Sequence, residues 1–202
     1  MSRQRIVLGI SGASGAAIGV RIAEILAQLP DIETHLVISP AAERTLEIEI
    51  DRDAANRLER CAAKRYPSDD IGADIASGSV STAGMIVAPC SMKTLSSIAC
   101  GISDNLIVRA ADVHLKERRP LILVARESPL HLGHLRAMTA VTEFGAIVAP
   151  PVPAFYLRPE RLSDVTEQIA LRTIGLLRLR NAPQPQSWST LEQVPQNTAR
   201  MP

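Results

Sequence analysis

The sequence predicts an α/β protein with a Rossmann-like (flavodoxin-like), doubly wound parallel sheet in a single domain. Three observations support this class. Short apolar runs rich in β-branched residues alternate with longer amphipathic stretches. The runs are apolar almost throughout, which is typical of parallel strands that helices cover on both faces. One Trp, two Tyr and two Phe are the only aromatic residues among 202, so Ala, Ile, Leu and Val must build a closely packed core.

The apolar runs and the amphipathic stretches define the predicted elements in order. Strands are predicted at 6–10, 34–38, 85–88, 121–124 and 146–149. Helices are predicted at 16–29, from Pro40 through 48, and at 94–99, 104–116, 132–144 and 162–180. Such alternation favours right-handed crossovers between parallel strands.

Two segments depart from this alternation. The polar segment 51–80 is interpreted as a helix followed by a mobile loop. The tail 181–202, rich in Pro and Gln, cannot bury enough apolar surface to fold alone, so the folded domain is assigned to residues 1–180. Either the tail is disordered, or it packs on another subunit through Trp188.

Charge and hydropathy exclude several classes of function. The 22 basic and 21 acidic side chains give a formal charge of +1, so no large field attracts nucleic acid or an anionic membrane. No stretch reaches the roughly 18 apolar residues that a membrane span needs, and the N-terminal apolar run is short and lacks a clear cleavage site. We therefore expect a cytoplasmic protein without nucleic-acid or membrane partners.

The cysteines and histidines do not form a metal-binding pattern. Cys61, Cys90 and Cys100 are odd in number and match no C-x-x-C spacing, which argues against a zinc site or a disulfide framework. His131 and His134 have a spacing that suits a metal, but no third ligand follows at a sensible distance, so surface or core histidines are expected.

Small and hydroxyl-bearing residues follow three predicted strands. Residues 9–15, GISGASG, lead from the first strand into a helix, where backbone amides favour an anion such as a phosphate. The segment 89–94 is similar, and Ser39 follows the second strand. All three lie at the carboxyl edge of the sheet, where α/β proteins bind ligands. We expect a phosphorylated ligand with an aromatic ring, such as a mononucleotide. The alternatives are a tight turn without a ligand, and simple helix capping by Ser91 and Thr94.

Charged residues near the fourth strand divide into two groups. Arg118 and Arg119 are interpreted as part of a solvated helix face. Arg126 and Glu127 directly follow the strand, so they are expected at the ligand edge, where a cation meets phosphate and a carboxylate moves protons.

Two residues near the C-terminal helix are candidates for substrate contact. Tyr156 lies in a stiff, proline-rich loop, where it either fills a packing gap or presses an apolar substrate against its ring. Arg172 has apolar neighbours in sequence, so its burial on that helix face would require an anionic partner such as a substrate phosphate.

Several motifs over residues 5–180 together resemble the UbiX/Pad1 family of flavin prenyltransferases, especially the members that accompany aromatic-acid decarboxylases. The motifs are Gly9-x-Ser11-Gly12-Ala13-Ser14-Gly15, Ser77-Gly78-Ser79, Pro89-Cys90-Ser91-Met92-Lys93-Thr94-Leu95, Arg109-Ala110-Ala111-Asp112-Val113, Leu115-Lys116-Glu117, Arg126-Glu127-x-Pro129-Leu130 and Pro151-x-Pro153-Ala154-Phe155-Tyr156. The resemblance implies an enzyme that joins reduced FMN to dimethylallyl phosphate at flavin N5 and C6. The product, prenylated FMN, would serve a UbiD-type decarboxylase, and a homododecamer is expected.

The resemblance also implies the site residues. Those that would contact FMN are Gly12, Ala13, Ser14, Ser39, Ser91, Met92, Lys93, Thr94 and Arg126. Those that would contact dimethylallyl phosphate are Tyr156 and Arg172, together with Lys116, Arg109 and Glu49 from neighbouring subunits. Glu127 would handle protons, Ser14 would steer the N5 centre, and Trp188 would shield the site. No aspartate-rich magnesium motif is present, which fits a monophosphate substrate handled without metal.

The chain departs from the family pattern at two places, and two rival functions share the fold. Pro40 stands where many relatives have lysine, and Arg136 lies where many have an acid. One rival is an FMN-dependent decarboxylase of the cysteine type, but the early histidine, His35, lies inside a predicted strand. The other rival is a non-catalytic FMN carrier, which has no need for Tyr156 or Arg172.

Overall fold

Six parallel strands form one sheet in the order β3-β2-β1-β4-β5-β6. In the computed structural model, which describes residues 3–187, the strands are β1 (Gln4–Ile10), β2 (Ile32–Ile38), β3 (Lys64–Tyr66), β4 (Gly84–Cys90), β5 (Leu121–Ala125) and β6 (Ile147–Val148). The strand order reverses between β1 and β4. A crevice therefore opens between the carboxyl ends of these two strands, the usual ligand position in such sheets.

Seven α-helices cover the two faces of the sheet. They are α1 (Ala16–Ala27), α2 (Pro40–Glu49), α3 (Ala54–Cys61), α4 (Met92–Cys100), α5 (Leu106–Lys116), α6 (Leu132–Glu143) and α7 (Leu162–Gly175). Helices α1, α2, α3 and α7 share one apolar core with the sheet, and α4, α5 and α6 share the other. Ile6 and Leu8 of β1 point into the first core and Val7 into the second, which explains why the strand is apolar throughout.

The α/β class and the five predicted strands are confirmed, but the interpretation of segment 51–80 is wrong in one respect. The segment contains α3 and also the edge strand β3, which pairs with β2. Lys64 is exposed in β3 and only Tyr66 is buried, because an edge strand of three residues has little contact with the core. Sequence patterning therefore gave no apolar run to detect.

The C-terminal part of the chain also differs from expectation. Helix α7 ends at Gly175 rather than near 180. Leu179 and Ala182 pack into the core beside α7, so the start of the tail lies against its own chain. Trp188 lies outside the described residues. No helix within residues 3–187 is long and apolar enough to cross a membrane.

Candidate functional site

A buried serine joins the two loops that border the crevice between β1 and β4. The Ser11 hydroxyl donates to the Pro89 carbonyl oxygen at 2.9 Å and accepts from the Ser91 backbone N–H at 2.7 Å. The Ser11 N–H also donates to Pro89 O, at 3.2 Å. Ser11 is 2% exposed, so these bonds form in a medium where an unpaired polar group would be costly. The bonds of Ser11 therefore set the distance between the loop after β1 and the loop after β4 within one chain.

The first loop is held equally closely against α2. A Cβ atom on Gly12 would lie 2.5 Å from the Cβ of Ala41, so only glycine allows this approach. The Ser39 N–H donates to Ile10 O at 3.0 Å, and the Ser39 hydroxyl accepts from the Ala42 N–H at 3.2 Å. Pro40 occupies the first turn of α2, where its missing N–H costs nothing. As predicted, Ser39 joins the first loop at the carboxyl edge.

The second loop follows β4 and begins α4. The Ser91 hydroxyl accepts from the Thr94 N–H at 3.3 Å, which confirms the capping interpretation. Met92 and Thr94 are buried, and Lys93 is exposed and forms an ion pair with Asp104 at 3.5 Å. Because the N-terminus of α4 opens at the crevice, its dipole favours an anion there in addition to the cap.

The N-terminus of α1 already holds a negative group from the same chain. The N–H groups of Gly15 and Ala16 donate to the Glu49 carboxylate at 2.9 and 2.8 Å. Burial acts to raise the pKa of Glu49, but hydrogen bonds from Ser14, Ala16 and Gly15 outweigh it and hold the pKa below its usual value. The predicted preference of this helix N-terminus for a negative charge is correct. The anion at these two amides is the Glu49 carboxylate, at the end of α2, and the position of a ligand phosphate stays a prediction.

Arg126 and Glu127 lie at the carboxyl edge, as predicted. The Arg126 N–H donates to Cys90 O at 3.1 Å, which ties the end of β5 to the end of β4. Both side chains are exposed, and the Glu127 carboxylate accepts from the Ser128 N–H at 3.0 Å. The Arg126 charge also helps to lower the pKa of Glu49. Ser14, Glu49 and Arg126 therefore form one electrostatic group.

Tyr156 and Arg172 line one cleft of about 860 Å³ between the loop after β6 and α7. Tyr156 belongs to a short 3-10 helix, Phe155–Leu157. Arg172 is exposed, and Ala170, Thr173 and Ile174 supply the buried face of α7, so burial does not impose an anionic partner on Arg172. The guanidinium is thus open to a ligand from solvent.

Lys116 and Arg109 lie on α5, and the topology separates Lys116 from the crevice. Helix α5 returns from the carboxyl edge to the start of β5, so its last residue, Lys116, lies at the amino edge of the sheet. The five residues of β5 span roughly 15 Å between the two edges. Lys116 pairs with Glu117, and Arg109 pairs with Asp112 at 2.7 Å. Lys116 therefore does not join Arg126 within one chain.

His131 and His35 have structural partners, whereas the Nδ1 atom of His134 is buried without a hydrogen-bond partner among the described residues. The His131 Nδ1 atom accepts from the N–H groups of Gly133 and His134 at 3.0 and 3.3 Å, so His131 caps α6. His35 is buried in β2, 2.6 Å from the Tyr66 hydroxyl. Across residues 3–187, no group of three His, Cys, Asp or Glu side chains is arranged to hold a metal ion.

Comparison with known proteins agrees with this geometry. The flavoprotein family model matches residues 1–163. The flavin prenyltransferase UbiX of Escherichia coli (strain K12) is 53% identical over 171 residues, covering 85% of this chain and 90% of its own. A crystal structure of AnUbiX (PadA1) in complex with FMN and dimethylallyl pyrophosphate superposes with a TM-score of 0.84 at 45% identity, covering 88% of this chain and 93% of that one.

A second solved structure extends the comparison. A dodecameric FMN-dependent UbiX-like decarboxylase from Escherichia coli O157:H7 has a TM-score of 0.87 at 42% identity, covering 92% of this chain and 99% of that one. A parallel sheet with a ligand crevice and the family match together define a flavoprotein. Within the flavoproteins, this chain belongs to the family of UbiX flavin prenyltransferases.

Two residues important to the site arrangement were missed by sequence reasoning. Ser11 was part of a recognised motif, but its role in joining two loops depends on a contact 78 positions away along the chain. Arg119 was assigned to a solvated face, yet its guanidinium hydrogen-bonds to the loop before β4. Neither contact follows from local periodicity, because each joins segments distant in sequence.

Proposed function

We propose that this protein is a flavin prenyltransferase that joins the dimethylallyl group of dimethylallyl phosphate to reduced FMN. The observation that carries this conclusion is the 53% identity to UbiX over 85% of the chain. In the reaction the allylic C–O bond breaks and phosphate leaves as one carbon bonds to flavin N5. The C=C bond of the prenyl group then takes up a proton while its other carbon bonds to C6, and the hydrogens of N5 and C6 leave as protons. The remaining steps of the proposal concern what the residues of this chain do.

The carboxyl edge is the proposed FMN site. The FMN-contacting residues are Gly12, Ala13, Ser14, Ser39, Ser91, Met92, Lys93, Thr94 and Arg126. Because Met92 and Thr94 bury their side chains, they offer FMN their backbone. The amides of Gly15 and Ala16 are bonded to Glu49, so the FMN phosphate is assigned to the Ser39 and Ser91 loops and not to the start of α1.

The allylic phosphate is assigned to Tyr156 and Arg172 of one chain together with Lys116 and Arg109 of a neighbouring copy. Cationic groups around the leaving oxygens stabilise the charge that develops as the C–O bond breaks. The Tyr156 ring offers a π face to the developing allyl cation. Lys116 lies at the amino edge, away from the crevice of its own chain, so the proposal needs a second copy.

Glu49 and Glu127 have different proposed roles because their surroundings differ. Glu49 is held ionised by two backbone N–H groups and the Ser14 hydroxyl, which makes it a poor proton acceptor and a good anchor for Ser14. We assign to Ser14 the steering of the N5 centre. Glu127 is exposed beside the crevice and is bonded only to its neighbour's N–H among the described contacts, so it is the group that moves protons.

Three further assignments belong to the proposal. A UbiD-type decarboxylase receives the product, which follows from the chemistry of prenylated FMN. The chain forms a homododecamer, supported by the dodecameric UbiX-like relative. The protein acts in the cytoplasm, which suits the three free cysteines, Cys61, Cys90 and Cys100.

The direct test mixes protein, FMN, reductant and dimethylallyl phosphate, and measures the mass of the flavin released. We expect a flavin heavier by one prenyl unit, also in the presence of a chelator. A parallel reaction with dimethylallyl pyrophosphate separates the monophosphate from the diphosphate, the compound named with AnUbiX. Only unmodified FMN, released from folded and flavin-loaded protein with either compound, would contradict the proposal and would favour a flavin carrier.

Arg172→Ala tests the phosphate assignment within this function. Loss of a charge-assisted hydrogen bond to the leaving group lowers kcat/KM for dimethylallyl phosphate by about tenfold to a hundredfold. FMN affinity stays within about twofold of the wild type, since Arg172 lies in the cleft and not in the crevice. Arg180→Ala, an exposed arginine outside the cleft, is the matched control. Equal loss of FMN binding and prenyl transfer would refute the assignment.

A further inference from the structure

The loop at residues 77–82, before β4, is fastened by an arginine at the amino edge of the sheet. The Arg119 guanidinium donates to the carbonyl oxygens of Gly78 and Val80, both at 2.7 Å, and to the Thr82 hydroxyl at 3.2 Å. Arg119 is half-buried, so the interpretation of a solvated face is wrong for this residue. One planar guanidinium with several donors fixes both ends of the loop at once.

A buried histidine continues this network beneath the loop. His114 is fully buried and its Nδ1 atom lies 2.7 Å from Ala110 O, a group that can only accept. Nδ1 therefore carries the proton, and Nε2 accepts from the Thr82 hydroxyl at 2.9 Å. The Thr82 oxygen in turn accepts from Arg119. Thr82 thus has a defined orientation at the base of the loop.

The middle of the loop lies directly under the ion pair at the end of α5. The Lys116 ammonium donates to the Glu117 carboxylate. A Cβ atom on Gly78 would lie 2.6 Å from Lys116 Nζ and 2.1 Å from Glu117 Oε1. Glycine is needed here for the space that the ion pair fills. The Lys116 hydrogen bond keeps the pKa of Glu117 below its usual value, so Glu117 stays ionised.

We infer that Gly78 and Arg119 are positioning residues that set the place of the Lys116 ammonium for the allylic phosphate. The inference rests on the proposed function and assigns a role to the Ser77-Gly78-Ser79 motif. A lysine on four methylenes loses side-chain entropy when it is fixed, so binding is favoured when it is fixed in advance. The loop surface at Gly78 and the Glu117 carboxylate restrict Lys116 before substrate arrives, and Arg119 keeps that surface in place.

Gly78→Ala is the most specific variant, because the three atoms nearest to the added methyl group belong to the flexible ends of Lys116 and Glu117. We expect kcat/KM for dimethylallyl phosphate to fall by about tenfold, mainly through KM, with FMN affinity unchanged. Gly72→Ala is the matched control in the same segment, since its Cβ would meet only Asp70 Oδ1 at 3.8 Å. That control is expected to behave as the wild type.

A double-mutant cycle separates positioning from general damage. In a Lys116→Met background, the positioning role predicts that Gly78→Ala changes kcat/KM by less than about twofold, because the ammonium it displaces is gone. The same cycle is run with Arg119→Gln, which also serves if Gly78→Ala fails to fold. Arg119→Lys, which keeps the charge but loses the planar fork, is expected to restore activity only in part.

The possible outcomes distinguish the two levels of the proposal. A wild-type protein that makes no prenylated flavin contradicts the proposed function itself. A wild-type protein that makes the product while Lys116→Met has full kcat/KM, or while Gly78→Ala costs as much with Met at position 116 as with Lys, contradicts the positioning role alone. Loss of the effect on kcat/KM in the Lys116→Met background, for either Gly78→Ala or Arg119→Gln, supports it.

Discussion

The two edges of the sheet are built in opposite ways. At the carboxyl edge, small residues such as Ser11 and Gly12 bring three loops together through short contacts within one chain. At the amino edge, long charged side chains prevail: Lys116 and Glu117 form an ion pair over Gly78, and Arg119 holds the loop beneath them. The first edge is a preformed crevice. The second is a charged surface at the opposite end of the strands.

This difference supports the proposed division of the two substrates between copies. A single chain holds all the loops proposed for FMN, because a doubly wound sheet brings the carboxyl ends of its strands together. The same topology returns α5 to the amino edge, where β5 begins, so an ammonium at the end of α5 cannot reach the crevice of its own chain. We therefore predict that one copy of the chain binds the flavin and that several copies together bind the allylic phosphate.

The largest expected effect is a loss of stability in acid, which comes from the buried His114 at the amino edge. Burial lowers the pKa of His114 to about 4 from 6.5. Below pH 6.5 the unfolded chain takes up a proton that the folded chain refuses, so stability falls as the pH falls towards 4. The full effect is about 3 kcal/mol. Urea unfolding at several pH values is expected to show a steeper acid loss for the wild type than for His114→Gln. Equal pH slopes for the two proteins would show that His114 does not have this depressed pKa.

Removal of the Ser11 hydroxyl tests the carboxyl edge, with a somewhat smaller expected effect. Ser11→Ala leaves the partly buried Ser91 N–H without its partner and costs about 2 kcal/mol of unfolding free energy. FMN affinity is expected to fall as well, since the two loops lose their link. Ser81→Ala, at an exposed serine, is the control. A change below about 0.5 kcal/mol for Ser11→Ala would mean that the crevice is held by other contacts.

Sequence reasoning predicted the parts of this fold that depend on local patterning. β1, β2, β4 and β5 are buried on both faces, so their apolar runs were unmistakable. The edge strand β3 was missed because solvent covers one side of it and it needs no apolar pattern. The end of α7 was placed too late because Leu177 and Leu179 continue an apolar pattern after the helix has ended.

The sequence predicted those residues of the candidate site that directly follow a strand. Ser39, Ser91 and Arg126 lie where the order of strands requires them. The partners of Glu49 and Arg119 were not predictable, because each joins segments more than 30 positions apart through side-chain geometry. The apolar neighbours of Arg172 in sequence left its burial open, and because a helix turns by about 100° per residue the structure places it outward.

Subunit complementation tests the division of substrates between copies most directly. Glu127→Gln removes the proposed proton-handling group at the carboxyl edge, and Lys116→Met removes the ammonium at the amino edge. The two variants are co-expressed with different tags, and mixed oligomers are isolated through both tags. Random assembly in equal amounts leaves both groups intact at about a quarter of the sites if they come from different copies. We therefore predict about a quarter of the wild-type rate of prenylated FMN formation, well above either variant alone. Activity no higher than that of the separate variants would mean that Lys116 serves the crevice of its own chain, and would contradict the account.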